Sequence, residues 1–197
     1  AARDLHPRTC HVSSKACPMS TTTSRRPATL RRSWLFTSGL DAGAQQAALD
    51  SGADVLVADL EEFTLPAERP AARPKIAALM ARCRAQNTVG AVRINRLSGD
   101  GLADLQGVMP GSPDVIFLPC VESADEIIAL AKAIEALETE LGLPAGQTEI
   151  VPTIESALGI VCIQSILAAS PRVSACLLAA EDLTADLRRV RNSRRSP

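Results

Sequence analysis

The chain has 197 residues, 46% of them hydrophobic, and its aromatic residues are one Trp and three Phe with no Tyr. Such a length supports one domain whose core is built from Ala, Leu, Ile and Val, a composition suited to parallel strands buried on both faces. The formal charge is −1, but ten basic residues lie in the first 26 and last ten positions, leaving a body near −10 that repels nucleic acid. No apolar run reaches the roughly 18 residues needed to span a bilayer. Neither a nucleic-acid nor a membrane partner is therefore expected.

Six cysteines lie at 10, 17, 83, 120, 162 and 176, with no C-x-x-C pair. They read as small core residues in a reducing compartment. The only histidines, His6 and His11, stand near the N-terminus, so no zinc cluster is expected.

Residues 1–30, rich in Ser, Thr, Arg and Pro, read as a disordered leader. Two readings fit: a transit-peptide-like segment, which would place the protein in the mitochondrial matrix, or an extension before a start at Met19, which would leave it cytoplasmic. From residue 33 the pattern becomes regular. SWLFTSG (33–39), DVLVADLEE (54–62), VGAVRINR (89–96), DVIFLPC (114–120), EIVPTIES (149–156) and VSACLLAAEDL (173–183) read as strands. Between them, 41–52, 70–87, 101–109, 123–142 and 158–170 read as helices, with Ser123 a candidate N-cap and Gly142 a helix stop. Six strands alternating with five helices predict parallel βαβ units. TSGLDAG lacks the spacing of a dinucleotide loop, which disfavours a doubly wound nucleotide fold.

Polar residues collect at one end of these strands: Asp59, Glu61 and Glu62; Arg93 and Asn95; Cys120 and Glu122; Glu155; Glu181 and Asp182. That is the end at which β/α barrels carry their chemistry. Converging carboxylates repel one another unless a cation lies among them, and an oxygen-only donor set favours Mg²⁺ or Mn²⁺ over zinc. Arg93 could hold an oxyanion, or could form a buried pair with Asp59 or Glu61. Single acids after strands also cap the following helix, as Ser156, Asp182 and Glu122 could do.

The ordered segments LFTSG, GADVLVADLEE, VRIN, LPCVESADEI, PTIESALGI and AAEDLTADL resemble the strand motifs of citrate lyase beta-subunit-like proteins, of the aldolase and citrate lyase superfamily. The likeness spans about 31–187. It implies an α/β fold, an incomplete (β/α)8 TIM barrel with about six of its eight βα units, and, for a complete chain, a homo-oligomer of trimers or hexamers. It implies Mg²⁺ held by Glu155 and Asp182, with Arg93 as the catalytic and substrate-contacting residue and Glu62 beside it in the substrate site. The implied reaction cleaves a hydroxyacyl-CoA thioester to an acyl thioester and a 2-oxo acid. An aldolase acting on free 2-oxo acids, or a non-catalytic oxo-acid-binding remnant, are the alternatives.

Departures from the family pattern are Thr37-Ser38 for Val-Pro, Glu62 for Asp, and Cys120 for Lys. After residue 187 the sequence RRVRNSRRSP has no apolar period. It predicts a basic disordered tail (188–197) in place of the last two βα units and of the lid that supplies relatives with an acid for proton transfer.

Overall fold

The computed structural model describes residues 25–188. Strands β1 (Trp34–Ser38), β2 (Val55–Asp59), β3 (Val89–Arg93), β4 (Val115–Leu118), β5 (Glu149–Ile154) and β6 (Leu177–Leu178) form one sheet in the order β1-β2-β3-β4-β5-β6. Every pairing is parallel. Strands laid down in sequence order with helices between them curl in one direction, as βαβ units of one hand require. The result is a curled half-barrel, the incomplete barrel expected from the sequence.

The helices are α1 (Ala42–Asp50), α2 (Arg69–Ala72), α3 (Ile76–Ala85), α4 (Gly101–Val108), α5 (Ala124–Glu140), α6 (Ala157–Val161), α7 (Ile163–Ala168) and α8 (Ala180–Asp186). Local sequence sets their ends. Asp41 caps α1 by accepting the Ala44 N–H, and Ser123 with Glu126 forms a capping box on α5. Gly52 and Gly142 follow these two helices in the left-handed region.

Three expected elements differ. The helix read over 70–87 is split into short turns and α2 before α3, because Pro70 and Pro74 each lack an N–H and crowd the preceding turn. The helix read over 158–170 is interrupted at Cys162. The strand read over 173–183 pairs only at Leu177 and Leu178, beside an isolated bridge at Val173, and Ala180–Asp186 is helical. Glu181 and Asp182 therefore lie in the first turn of α8, where acids suit the helix dipole, and not at a strand end.

Alternation along the strands sorts the core into two layers. Leu56, Ala58, Val92, Ile116, Leu118, Ile150 and Ile154 face the helices. Val55, Val57, Val89, Ala91, Val115, Phe117 and Val151 face the inside of the curl, joined by Trp34, Phe36 and Leu177. Three of the four aromatic residues thus fill the interior, with Trp34 and Phe36 each packing edge-on to Phe117 at 5.4 and 5.5 Å. No helix among the described residues is long and apolar enough to cross a membrane.

Ion pairs close the base of the half-barrel. Glu149, the first residue of β5, receives two hydrogen bonds from Arg31 at 2.6 and 2.9 Å and one from Arg25 at 2.5 Å. Residues 25–30, placed in the leader by the sequence, thus include an arginine bound to the sheet. Expectations for the leader before residue 25 and the tail after 188 fall outside the described residues. Cys83, Cys120, Cys162 and Cys176 are free thiols; of these only Cys83 is the buried core residue expected, Cys120 and Cys162 are half-buried, and Cys176 is exposed because β6, beside it, has no strand on its outer side among the described residues.

Glu138, 1% exposed on the last turn of α5, is the second tie. It accepts from the Gly146 and Thr148 N–H groups and from Arg172 at 2.9 and 2.6 Å. Burial works to raise its pKa, but Arg172 and the two backbone donors outweigh it and hold the carboxyl below its ordinary 4.5. A depressed carboxylate stabilises the fold above the unfolded value, and that contribution is lost as pH falls through the folded one. Glu138→Ala is expected to cost about 3–5 kcal/mol at pH 7 in urea unfolding, because Arg172 is left buried without its partner. The deficit is expected to shrink below pH 4.5.

Candidate active site

The site follows from strand register. In β2 the inward positions run Val55, Val57, Asp59, and in β3 they run Val89, Ala91, Arg93. Asp59 and Arg93 are direct register partners, and Ser38 is the partner of Asp59 on β1. In β5 the same parity carries Val151 and Thr153 to Glu155, one residue past the strand. The last inward side chain of each of these three strands is therefore ionisable, at the mouth where the apolar interior ends.

Arg93 is 8% exposed, and its Nε and Nη2 are hydrogen-bonded. Its Nε donates to Asp59 Oδ1 at 2.8 Å, and its Nη2 donates to Asp59 Oδ2 at 2.6 Å and to Glu62 Oε2 at 2.8 Å. Its Nη1 forms an ion pair with Glu61 at 3.1 Å, and the guanidinium lies 5.2 Å from the Phe36 ring centre. Burial works against the charge, but the bonds from Asp59 and Glu62 outweigh it and hold Arg93 above its ordinary pKa. The buried pair that the sequence offered as one reading of Arg93 is thus present, widened to three carboxylates. Asp59 has further roles. Its carboxylate accepts from the Glu61 and Phe63 N–H groups, and its carbonyl accepts the Thr64 hydroxyl at 2.6 Å. Thr64 Oγ1 in turn accepts the Gly39 N–H at 3.0 Å. A Cβ at Gly39 would lie 2.7 Å from Leu60 Cδ2, so the β1 end can approach the β2 loop only without a side chain.

Asn95 proves structural. Its Nδ2 donates to the Leu60 carbonyl and to Asp104, and Asp104 also accepts from the Asn95 N–H and from Arg73 Nε. This buried network joins the β3 loop to α4 and to the 3-10 turn before α3. Only the position of Asn95 two residues after Arg93 hinted at it.

On the other side, Cys120 adopts φ 51, and its N–H meets Glu155 Oε1 at 2.5 Å. Burial, then the neighbouring Glu155, push the Cys120 thiol up to about 12, so it stays protonated at neutral pH. Glu122 accepts the Ser156 hydroxyl at 2.7 Å, and Ser156 caps α6. Glu61 is pushed above its ordinary 4.5 by burial; Arg93 opposes this, while Glu62, Asp59 and Glu155 add to it.

The structure therefore joins Arg93 to Glu62 directly and brings Glu155 into the same electrostatic cluster. Asp182 lies exposed on α8 and bonds to none of them. Among the described residues, no three Asp, Glu, His or Cys side chains gather closely enough to hold a metal ion.

Comparison with known proteins decides the family. Residues 32–196 match the HpcH/HpaI aldolase/citrate lyase family. The chain belongs to that family. It is 33% identical over 164 residues to citrate lyase subunit beta of Haemophilus influenzae, covering 83% of this chain and 56% of that one. It is 32% identical over 165 residues to the L-malyl-CoA/beta-methylmalyl-CoA lyase of Rhodobacter capsulatus, covering 82% and 52%. The chain spans little more than half the length of these curated relatives. Among solved structures it superposes on RipC from Yersinia pestis with TM-score 0.64 and 28% identity, over 83% of this chain and 64% of that one. It also superposes on a magnesium and glyoxylate complex of Haloferax volcanii malate synthase, with TM-score 0.67 and 18% identity, over 80% and 54%. The latter likeness is one of fold.

The raised pKa of Glu61 fixes the sign of a test. As pH rises through 4.5 the unfolded carboxyl ionises while the native one keeps its proton, so this group destabilises the fold at higher pH. Glu61→Gln is expected to raise the midpoint of thermal unfolding at pH 7 and to lose that advantage near pH 4.5. Asp59→Asn has the opposite sign at pH 7, with a loss of about 3–5 kcal/mol, because Arg93 loses its bidentate partner.

Proposed function

We propose that this chain carries the catalytic mouth of a divalent-metal-dependent carbon–carbon lyase. It would cleave a 3-hydroxyacyl thioester to an acyl thioester and a 2-oxo acid, or run the reverse. The observation that supports this reading is the Arg93 guanidinium, locked by Asp59 and Glu62 at the mouth of a family-matched half-barrel, with Nη1 held only by the ion pair to Glu61. A guanidinium oriented on one edge is a preorganised donor for charge that develops on a substrate oxygen.

The donor chemistry fits Mg²⁺ or Mn²⁺. Burial raises Glu61 first and Glu62, Asp59 and Glu155 add to it, so carboxylates meet at this mouth and offer oxygen donors. Glu155 and Asp182 would hold the ion; Mg²⁺ is commonly bound through one or two carboxylates, with water completing its shell. When bound, it would supply Lewis acidity to the carboxylate and keto oxygens of the 2-oxo acid.

The chain's own residues do the rest. Cys120 presents its N–H to Glu155 and fixes that carboxylate at the β5 end. Glu62 and Asp59 keep Arg93 charged and hold its fork. Glu61 can leave Arg93 when a substrate oxyanion arrives, because its own ionisation is already disfavoured. The apolar interior formed by Phe36, Phe117 and Val57 excludes water from the floor of the mouth and strengthens each of these contacts. The relative named L-malyl-CoA/beta-methylmalyl-CoA lyase supports the thioester substrate class.

A thermal melt of the chain with Mg²⁺ and oxaloacetate tests this reading. The midpoint is expected to rise with both ligands, by the equivalent of about 2.7 kcal/mol at one hundred times Kd. Glu155→Gln, which keeps the size of the side chain, is expected to abolish the Mg²⁺-dependent part. An unchanged Mg²⁺ response in that variant would remove Glu155 from the metal site. Malyl-CoA and citramalyl-CoA left intact by the protein would refute the thioester reaction.

A further inference from the structure

Three consecutive residues after β4 grip the end of β5. The Cys120 N–H donates to Glu155 Oε1 at 2.5 Å, the Val121 N–H donates to the Thr153 carbonyl at 3.1 Å, and Glu122 Oε1 accepts the Ser156 hydroxyl at 2.7 Å. The third contact is the one that local sequence does not explain. An acid just before α5 is expected to cap that helix, but Glu126 already takes the Glu122 and Ser123 N–H groups. The Glu122 side chain turns away from its own helix and reaches across to β5.

Donor and acceptor chemistry fixes the direction of that contact. Ser156 Oγ accepts the Gly159 N–H at 3.1 Å, and an ionised carboxylate can only accept, so the Ser156 proton points at Glu122. A hydroxyl anchored at both ends locks its own rotamer and the first turn of α6, directly after Glu155. That turn is pressed onto the same loop: a Cβ at Gly159 would lie 2.8 Å from the Val121 carbonyl oxygen. Glu155 needs such support. The Cys120 N–H and thiol bond its carboxylate, while Glu61 lies close enough to repel it. The charge of Glu122 is compensated from its far side by Arg96, whose Nη2 lies 3.9 Å from Glu122 and 3.6 Å from Glu126.

We propose that Glu122 is a positioning residue: through the Ser156 hydroxyl it holds the Glu155 carboxylate against the Cys120 N–H, in one orientation at the mouth. A carboxylate held in advance meets a divalent cation without first being ordered. Groups behind a ligand that orient it in this way are worth about 10–100-fold in metal affinity. The consequence for metal binding rests on the lyase reading. The hold on Glu155 does not.

The test joins amide hydrogen exchange of the metal-free chain to calorimetric titration with Mg²⁺ alone. Without metal, the Cys120 amide is expected to exchange about tenfold faster in Glu122→Ala and in Ser156→Ala than in wild type, while the Val57 and Ile116 amides of the central strands keep their rates. That contrast separates release of Glu155 from a general loss of stability. The same two variants are expected to bind Mg²⁺ about tenfold more weakly, and the double variant no more weakly than either alone, because both act through one hydrogen bond. Glu122→Gln keeps an oxygen acceptor at the same reach and should return both readings close to wild type. An unchanged Cys120 exchange rate in both alanine variants, or a Glu122→Gln chain as impaired as Glu122→Ala, overturns the proposal. Faster Cys120 exchange in the alanine variants of a chain whose wild type binds no Mg²⁺ upholds the hold on Glu155 and refutes the metal reading by itself.

Discussion

The mouth of this half-barrel depends on Asp59. One carboxylate holds Arg93 bidentately across the β2–β3 register and caps the turn that carries Glu61 and Glu62, while the carbonyl of the same residue takes the Thr64 hydroxyl. A charged pair so deep in an apolar sheet survives because every donor that faces Asp59 is used. Arg93, in turn, is what allows Glu61 and Glu62 to lie side by side. Without the guanidinium the loop after β2 would place three carboxylates around an empty centre, and their repulsion would open it.

The same economy of charge shapes the chemistry. On the β2–β3 side three carboxylates share the single charge of Arg93. On the β4–β5 side Glu155 is held by a backbone N–H and lies beside a protonated thiol, with no cation among the described residues bonded to it. The two sides of the mouth thus differ: one presents a guanidinium held among carboxylates, the other a carboxylate held by a backbone N–H. Cys120, in the left-handed region, presents its N–H to Glu155.

Beyond β5 the architecture loosens. β6 has only two residues, and Leu158, Val161, Leu178 and Leu187 are all at least half exposed. In a closed barrel, positions of this kind pack against the next βα unit. Asp182 belongs to this looser part, on a helix without buried residues, whereas Arg93 ends a fully buried strand and Glu155 follows one buried at every position after the first.

Much of this was legible in the sequence. Strand and helix alternation could be read because parallel strands buried on both faces are continuous apolar runs, and because Asp41, Ser123, Gly52 and Gly142 mark helix ends by local chemistry. The polar residues at one end of each strand identified the mouth, since strand direction in βαβ units follows from connectivity alone. The sequence could not choose among partners far apart in the chain. Whether Arg93 would take Asp59 or Glu61, whether Asn95 would face substrate or tie down α4, and whether Glu122 would cap α5 or reach Ser156 all depend on strand register and loop packing. The segment AAEDLTAD shows the same limit: its residues suit a helix start as well as a strand end. Only the short pairing of β6 to Thr153 and Ile154, with no further strand to hold its outer edge among the described residues, decided for the helix.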